Sequence, residues 1–430
     1  MIGCMPSVDT ADDITHAPDP GRAIAERSVE GEGGGTSSGV NIAPGSDDDG
    51  WKVPKPVVLS DGTRLQLYKD GEALHAAYEA IRGAKRRICL EVYIWGNDDT
   101  GRAFADLMCT KAQEGVRCYV IYDSFGSIGT DREIFRRMRK AGVNVQEFHP
   151  LRPWEPRYSW RPFNRDHRKL LIIDDQAAGL GGLNVGGEYA GSWVVRSKAA
   201  ATDLWRDNAM GVVGPGARHF LAAFANTWNY VQRGGRIGRA ELLHNCRFEE
   251  GELGIMASVP AARSRVTPLA HELIAGARES IELTMAYFAP PDSLIDELCD
   301  AARRGVRVRL MLPGKCDVKL LVVAARSFYD MLLRAGVEVY ERQEVVLHAK
   351  TLVVDQERVA LGSTNLDYRS IEYNLEISAL VKHKHFGKQI HDLFEHDVCF
   401  ARRISSKEWR RRPYLDRFGQ WAVNRARYLL

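Results

Sequence analysis

Two stretches of the chain share one pattern of residues that could carry acid–base or nucleophilic chemistry. The first is His167-Arg-Lys169-Leu-Leu-Ile-Ile-Asp174, and the second is His348-Ala-Lys350-Thr-Leu-Val-Val-Asp355. Each is followed by a glycine-containing segment that ends in asparagine, Gly181-Gly-Leu-Asn184 and Gly362-Ser363-Thr-Asn365. The shared pattern is H-x-K-x4-D-x6-G-[GS]-x-N, and its repetition indicates a functional constraint rather than chance.

The spacing of each histidine and lysine predicts that they work together. Residues two apart on a β-strand point to the same face, and the apolar residues after each lysine predict that the strand continues into a core. An imidazole can attack or carry a proton, while an ammonium group neutralises an anion. Two facing sets would surround a phosphate with two lysines and two asparagines, which suits in-line displacement at phosphorus without a metal or other cofactor.

The aspartates of the pattern leave two interpretations open. Asp174 and Asp355 each end an apolar strand. Each could anchor a turn or pair with a local cation, and each could instead take part directly in catalysis.

The chain length and composition define the class of protein. The chain has 430 residues, enough for two domains, and 45% apolar with 27% charged residues is typical of soluble globular proteins. No apolar run reaches the length of a membrane-spanning helix, and the first 30 residues lack the pattern of a secretory signal. The eight cysteines form no CxxC or Cys/His cluster, which predicts free thiols in a reducing compartment and no zinc site.

Predicted strands and helices alternate, as in strand Arg87–Trp95, helix Ala103–Glu114 and strand Val116–Tyr122, and this order is typical of an α/β fold. Three segments recur in the same order about 190 residues later: Ile81–Ile88 as Ile274–Ile281, Gly115–Val120 as Gly305–Leu310, and Ala141–Val145 as Ala335–Val339. The predicted organisation is a disordered acidic leader (1–50), a first lobe (51–235), a linker (236–247), a second lobe (248–400) and a basic amphipathic tail (401–430). The leader carries a net charge of −8 and the tail +7.

The doubled pattern resembles the HKD signature of the phospholipase D superfamily, and the resemblance extends from about residue 57 to the tail. Leu90–Trp95, Trp205–Asp207 and Asn374–Glu376 are similar to the bacterial cardiolipin synthase branch. The resemblance implies two α/β/α sandwich lobes with one active site at their interface. It also implies a covalent phosphohistidine intermediate and no cofactor.

The resemblance implies roles for individual residues as well. The first-lobe histidine is usually the nucleophile, so His167 is assigned the attack and His348 the proton transfers; the reverse assignment stays open. Glu376, and Asp207 in the first lobe, are candidates to hold the second nitrogen of an imidazole, against the alternative of ordinary surface or salt-bridge carboxylates. The residues expected to hold or support phosphate are Lys169, Lys350, Asn184, Ser363 and Asn365.

Two segments bear on the choice between lipid and nucleic acid as substrate. Residues 149–165, rich in proline, aromatic residues and arginine, suit a lipid headgroup, stacked bases or an ordinary packed loop. After Pro413, apolar residues at near-helical spacing and flanking arginines predict a helix that docks on anionic lipid or packs on the protein itself.

The sequence therefore predicts a peripheral phosphatidyltransferase at the cytoplasmic side of the cell membrane. It would move a phosphatidyl group from phosphatidylglycerol to a second lipid alcohol and release glycerol, with an anionic phospholipid membrane as partner and no nucleic acid. The open alternatives are a phospholipase D-type hydrolase, a nucleic-acid phosphodiesterase and a lipid-binding module without activity.

Overall fold

The computed structural model describes residues 50–152, 154, 162–190, 205–235, 251–259 and 264–429. The predicted disordered leader, apart from Gly50, lies outside the described residues. So do the whole predicted linker and residues 153 and 155–161 of the proline-rich insertion.

The first half of the chain builds one mixed sheet flanked by helices. The strands of this half of the chain are β1 (Val57–Val58), β2 (Arg64–Lys69), β3 (Arg87–Val92), β4 (Arg117–Asp123), β5 (Asn144–Phe148), β6 (Arg165–Asp166), β7 (Leu170–Ile173), β8 (Ala177–Gly181), β9 (Trp205–Arg206) and β10 (Asn208–Val213), of which β6 and β9 lie outside this sheet. Its helices are α1 (Gly71–Gly83), α2 (Asp99–Gln113), α3 (Arg132–Lys140) and α4 (Ala217–Gln232). The sheet order is β1-β2-β10-β8-β7-β3-β4-β5. Helices α1–α3 cover one face with a continuous apolar core, while α4 packs against β3, β5, β7 and β8 from outside that core.

The second half repeats this arrangement. Its strands are β11 (Leu253–Ser258), β12 (Ser280–Met285), β13 (Arg307–Lys315), β14 (Glu338–Leu347), β15 (Lys350–Val354), β16 (Arg358–Gly362), β17 (Asn374–Lys382) and β18 (Ala401–Arg403). Its helices are α5 (Val266–Ala275), α6 (Asp292–Arg303), α7 (Lys319–Ser327), α8 (Tyr329–Ala335) and α9 (Lys384–Val398). The sheet order is β11-β17-β16-β15-β12-β13-β14-β18, so the second sheet extends just beyond the predicted boundary at residue 400.

The strand order confirms the duplication that the sequence repeats predict. The run β10-β8-β7-β3-β4-β5 of the first sheet corresponds to β17-β16-β15-β12-β13-β14 of the second. In both sheets the last three strands of the run are parallel and the others pair antiparallel. The predicted α/β fold of two similar lobes is therefore confirmed.

Short strands from the first lobe join the second lobe. Strand β6 pairs in parallel with β17, and β9 pairs in parallel with β14. The backbone N–H of His167 donates to the carbonyl of Leu375 (3.0 Å), and that of His348 donates to the carbonyl of Arg206 (2.8 Å). His167 follows β6 and His348 follows β14, and each of these strands pairs with a strand of the other lobe, so both histidines lie where the lobes meet.

The tail forms two helices, α10 (Ser406–Arg410) and α11 (Tyr414–Ala426), followed by a short 3-10 helix (Arg427–Leu429). The helix predicted after Pro413 is present. Within the described ranges, no helix combines the length and apolar character needed to cross a membrane. The six cysteines in those ranges are free thiols.

Candidate active site

The two motif histidines are buried, and each takes its carboxylate partner from the other lobe. His167 Nδ1 lies 3.0 Å from Glu376 Oε1, and His348 Nδ1 lies 2.7 Å from Asp207 Oδ2. Glu376 lies on β17, which pairs with β6, the strand before His167. Asp207 directly follows β9. The sequence singled out both carboxylates, and the structure adds that the pairs cross the lobe interface.

The carboxylate of Glu376 sits in a dense set of donors. It accepts hydrogen bonds from the hydroxyls of Ser363 and Ser370 and from the amide of Asn374. Burial acts to raise the pKa of Glu376, but His167, Lys169 and the hydroxyl of Ser363 outweigh it and lower the pKa. Glu376 is therefore ionised, so His167 donates its Nδ1 proton to it and keeps a lone pair on Nε2.

Burial lowers the pKa of His167 to about 4, and Lys169 adds to this shift. The imidazole is therefore neutral at neutral pH. A buried neutral imidazole with a free Nε2 is a competent nucleophile.

The second half of the site is arranged differently. Asp207 accepts from the backbone N–H of Asn208, and burial raises its pKa to about 6 against the opposing charge of Lys350. Lys350 Nζ lies 2.8 Å from His348 Nδ1, so this nitrogen contacts both a carboxyl group and an ammonium group. Burial, then Lys350 and Lys169, lower the pKa of His348 well below its ordinary value.

Both motif lysines are buried beside the histidines. Lys169 Nζ donates to the carbonyl of His167 (2.7 Å), and Lys350 Nζ donates to the carbonyl of His348. Burial lowers the pKa of Lys169 to about 7 and that of Lys350 to about 8. Lys350 is among the charges that lower the pKa of Lys169, so the two ammonium groups lie near each other, and an anion between them would stabilise both.

The motif aspartates contact backbone amides instead of this cluster. Asp174 accepts from the backbone N–H groups of residues 85–87, and Asp355 accepts from those of residues 278–280. Each ends a strand that begins near the motif lysine, and five residues of strand span about 16 Å. Of the two open interpretations, these contacts support the structural one.

The predicted amide and hydroxyl ligands also contact the protein. Asn184 accepts from the backbone N–H of Ile94 (3.0 Å) and donates to the hydroxyl of Tyr189 (2.8 Å), while Asn365 accepts from the backbone N–H of Tyr287 (3.3 Å). They hold the segments after β3 and β12 beside the site. Ser363 acts through Glu376, as described above.

Several aromatic residues at the site were not predicted. The ring of Tyr93 lies edge-on to His167 at 5.0 Å between centroids, and Tyr287 lies edge-on to His348 at 6.2 Å. Tyr189 and Trp205 also contact the ring of His348, at 5.6 and 4.9 Å. Tyr93 and Tyr287 follow the equivalent strands β3 and β12, so the internal repeat carried a signal that could have identified them.

One group in the described part of the chain has the spacing of a metal site, namely Glu282, His391 and Glu395. The guanidinium of Arg309 already contacts both glutamates there. Because this cation balances the carboxylates, the group is a partly buried ion-pair network.

Comparisons with known proteins agree with this geometry. The family described as cardiolipin synthase, PLD-like domain, matches residues 78–191 and 271–398. A crystal structure of phosphatidylserine synthase from Haemophilus influenzae has a TM-score of 0.66 at 14% identity, covering 87% of this chain and 97% of that one. Fold and site thus define a two-lobed protein of the phospholipase D superfamily.

The sequence relatives give the branch. A probable cardiolipin synthase of Bacillus subtilis is 32% identical over 366 residues, which is 84% of this chain and 71% of the relative. A cardiolipin synthase of Alkalihalophilus pseudofirmus is 31% identical over 364 residues, with 84% and 71% covered. The chain belongs to the PLD-like cardiolipin synthase family, which confirms the predicted family and enzyme class.

The strand-end aspartates generate a test of their structural role. We expect Asp174→Ala and Asp355→Ala each to lower the free energy of unfolding by about 1–3 kcal/mol, because several backbone N–H groups lose an ionised acceptor. Urea unfolding measures this change. Activity per folded molecule should stay within about twofold of wild type, and Asp300→Ala, an exposed carboxylate paired with Arg303, is the control. A folded, stable variant without turnover would restore the catalytic interpretation.

Proposed function

We propose that the protein transfers a phosphatidyl group from phosphatidylglycerol to a second phosphatidylglycerol, through a phosphohistidine at His167. The observation that carries this proposal is the pair of buried imidazoles, each oriented by a carboxylate of the other lobe, beside two buried lysines. In the first half-reaction His167 Nε2 attacks phosphorus, and the bond from phosphorus to the glycerol oxygen breaks. His348 gives its proton to that oxygen, and glycerol leaves.

The second half-reaction reverses these roles. The hydroxyl of the acceptor lipid gives its proton to His348 and attacks phosphorus, and the phosphorus–nitrogen bond to His167 breaks. Cardiolipin leaves, and both imidazoles return to their starting state. The lysines hold the phosphoryl oxygens throughout, because charge neutralisation and positioning supply most of the catalysis of phosphoryl transfer.

The difference between the half-sites supports His167 as the nucleophile. Its partner Glu376 is an ionised acceptor that fixes the Nδ1–H tautomer, whereas Asp207 beside His348 has a pKa raised by burial to about 6. The charges of both lysines help burial to lower the pKa of His348. A bound anionic phosphodiester offsets those charges, so substrate binding favours the protonated His348 that a general acid requires.

We further propose that helix α11 docks the enzyme on an anionic phospholipid bilayer. Tyr414, Leu415, Phe418 and Trp421 lie on one face of the helix and are 85%, 83%, 66% and 57% exposed. Of the nine cations in the tail, Arg402, Arg403, Arg412 and Arg427 pair with carboxylates of the second lobe. The other five are exposed and have no carboxylate partner in the described part of the chain: Lys407, Arg410, Arg411, Arg417 and Arg425.

The tail is fixed to the second lobe. Helix α11 packs on α7, the ring of Tyr428 contacts Tyr368 at 4.6 Å, and Arg427 pairs with Asp292 at 2.7 Å. Tyr368 lies two residues before Ser370, whose hydroxyl donates to Glu376. A membrane on the exposed face of α11 would therefore adjoin the site.

Exposed apolar side chains also lie on the loops that follow β4 and β13. Phe125 and Ile128 are 48% and 72% exposed, and a Cβ on Gly126 would come within 2.3 Å of the Tyr93 carbonyl oxygen, so this loop packs beside the His167 half-site. Val318, on the loop after β13, and Leu320, in the first turn of α7, are 41% and 46% exposed, and they follow Asp317, which contacts Tyr287 of the His348 half-site. Exposed apolar side chains near both half-sites support entry of a lipid whose chains remain in the bilayer.

The function itself is tested by product identity. With labelled phosphatidylglycerol in anionic vesicles, we expect cardiolipin and glycerol, and His167→Ala or His348→Ala should each lower turnover roughly a thousandfold or more. His348→Ala should still trap a phosphatidyl adduct with an activated substrate, whereas His167→Ala should not. The control is His271→Ala, a partly exposed histidine on α5. Phosphatidic acid as the sole product would support the hydrolase, and DNA cleavage without lipid turnover would support the nuclease.

The lysines predict an alkaline limb in the pH profile. With a short-chain soluble substrate, kcat/KM should fall above about pH 7, because Lys169 and Lys350 lose their charges at pKa values of about 7 and about 8. The limb in kcat should lie at higher pH, since bound phosphate stabilises the ammonium groups. A kcat/KM that stays constant up to the ordinary pKa of lysine would contradict this role.

The docking proposal predicts a separation of membrane binding from chemistry. Replacing Leu415, Phe418 and Trp421 together by serine should lower binding to phosphatidylglycerol vesicles about tenfold or more, because apolar insertion is lost. Point substitutions are preferable to deletion of the tail, since the ring of Trp409 packs on Tyr329 and Arg412 pairs with Asp330. The matched control is Val58→Ser, which alters an exposed side chain on β1. Vesicle binding equal to wild type, with a lowered melting temperature, would show that the face packs on protein instead.

A further inference from the structure

An exposed carboxylate lies on the His348 side of the site. Asp317 lies on the loop between β13 and α7, and its Oδ2 accepts a hydrogen bond from the hydroxyl of Tyr287 at 2.7 Å. Its Oδ1 accepts from the thiol of Cys316 at 3.2 Å. Because the ring of Tyr287 is edge-on to His348, one tyrosine connects the carboxylate to the imidazole.

The carboxylate faces the reacting groups. Burial lowers the pKa of Lys350 to about 8, and Asp317 is among the carboxylates that oppose this shift. Asp317 also opposes the lowering of the His348 pKa by burial and the lysines. It therefore lies within electrostatic reach of the centre that must hold an anionic phosphodiester.

The first lobe shows no counterpart of this contact among the described residues: its loop carries the exposed Asp131, whose side chain caps α3 by accepting from the backbone N–H of Glu133, and no carboxylate accepts a hydrogen bond from the Tyr93 hydroxyl. There Asp123, at the end of β4, is fully buried, lies 3.5 Å from the guanidinium of Arg165 and accepts from the backbone N–H groups of Phe125 and Gly126. A free carboxylate beside a phosphate is electrostatically unfavourable. A carboxylate held by Tyr287 is instead suited to a hydrogen-bond donor, and this contact occurs on the His348 side only among the described residues.

We propose that Asp317, oriented by Tyr287, binds a hydroxyl of the glycerol headgroup on the alcohol side of the site. This inference rests on the proposed function, in which His348 exchanges protons with the oxygen of the leaving or entering alcohol. The glycerol headgroup carries further hydroxyls beyond the reacting oxygen, and an ionised carboxylate is a strong acceptor for them. The subsite selects a polyol over a simple alcohol or water.

The test is an internal competition between two acceptors of similar carbon skeleton. Full-length protein, phosphatidylglycerol vesicles, labelled glycerol and propan-1-ol are combined, and the ratio of labelled phosphatidylglycerol to phosphatidylpropanol is measured. Asp317→Ala should lower this ratio roughly tenfold to a hundredfold, which corresponds to loss of a hydrogen bond to a charged group. Tyr287→Phe should lower it less, since the carboxylate remains but loses its orientation, and Asp300→Asn is the control.

A ratio in Asp317→Ala equal to that of wild type would overturn the proposal. Adding ethanolamine as a third acceptor gives a second criterion, since a selective loss of transfer to ethanolamine would mean that Asp317 binds an ammonium group instead. A wild-type protein that forms neither transfer product nor cardiolipin would overturn the transferase function itself. Wild-type transfer with an unchanged variant ratio would overturn only this subsite.

Discussion

The exchange of carboxylates between the lobes is the constraint on which the rest of the site depends. His167 is oriented by Glu376 of the second lobe, and His348 by Asp207 of the first. Neither lobe alone contains an imidazole with its partner, so the reacting geometry exists only when the lobes are joined. The parallel pairings of β6 with β17 and of β9 with β14 set this geometry through the backbone.

A buried polar network fixes the strand of His167 from behind. Arg168 points away from the site and donates to the hydroxyl of Thr227 (2.7 Å) and to the carbonyls of Ser258 and Glu376. Burial raises the pKa of Glu91 and of Asp166 beside this guanidinium. Because several donors of one side chain reach both lobes, the network resists a shift of His167 relative to Glu376.

The fold is duplicated, but the two half-sites differ in individual residues. Ser363 donates to Glu376, whereas the equivalent position holds Gly182, where a Cβ would come within 2.2 Å of the Asp207 carboxylate. The contacts of Lys350 with His348 Nδ1 and of Asp317 with Tyr287 have no counterpart on the His167 side among the described residues. A reaction with one nucleophile and one proton carrier needs such a difference, because the two imidazoles must differ in tautomer and in pKa.

Residue types and spacing were enough to identify the histidine–lysine pairs, the duplication and the family, because strand periodicity and repetition are properties of the chain itself. The helix after Pro413 could be predicted as well, because helical spacing of apolar residues is also a property of the chain itself. The sequence also singled out Glu376 and Asp207, but not which histidine each one holds, because that pairing joins residues 209 and 141 positions apart across an interface. The role of Asp174 and Asp355 was likewise open. The sequence pattern around a carboxylate that ends a strand is the same whether the carboxylate binds backbone amides or substrate. The internal repeat carried a signal for Tyr93 and Tyr287, but their contacts with the imidazoles, and that of Asp317 with Tyr287, were decided only by the tertiary structure, because proximity between distant segments is set by packing and not by local pattern.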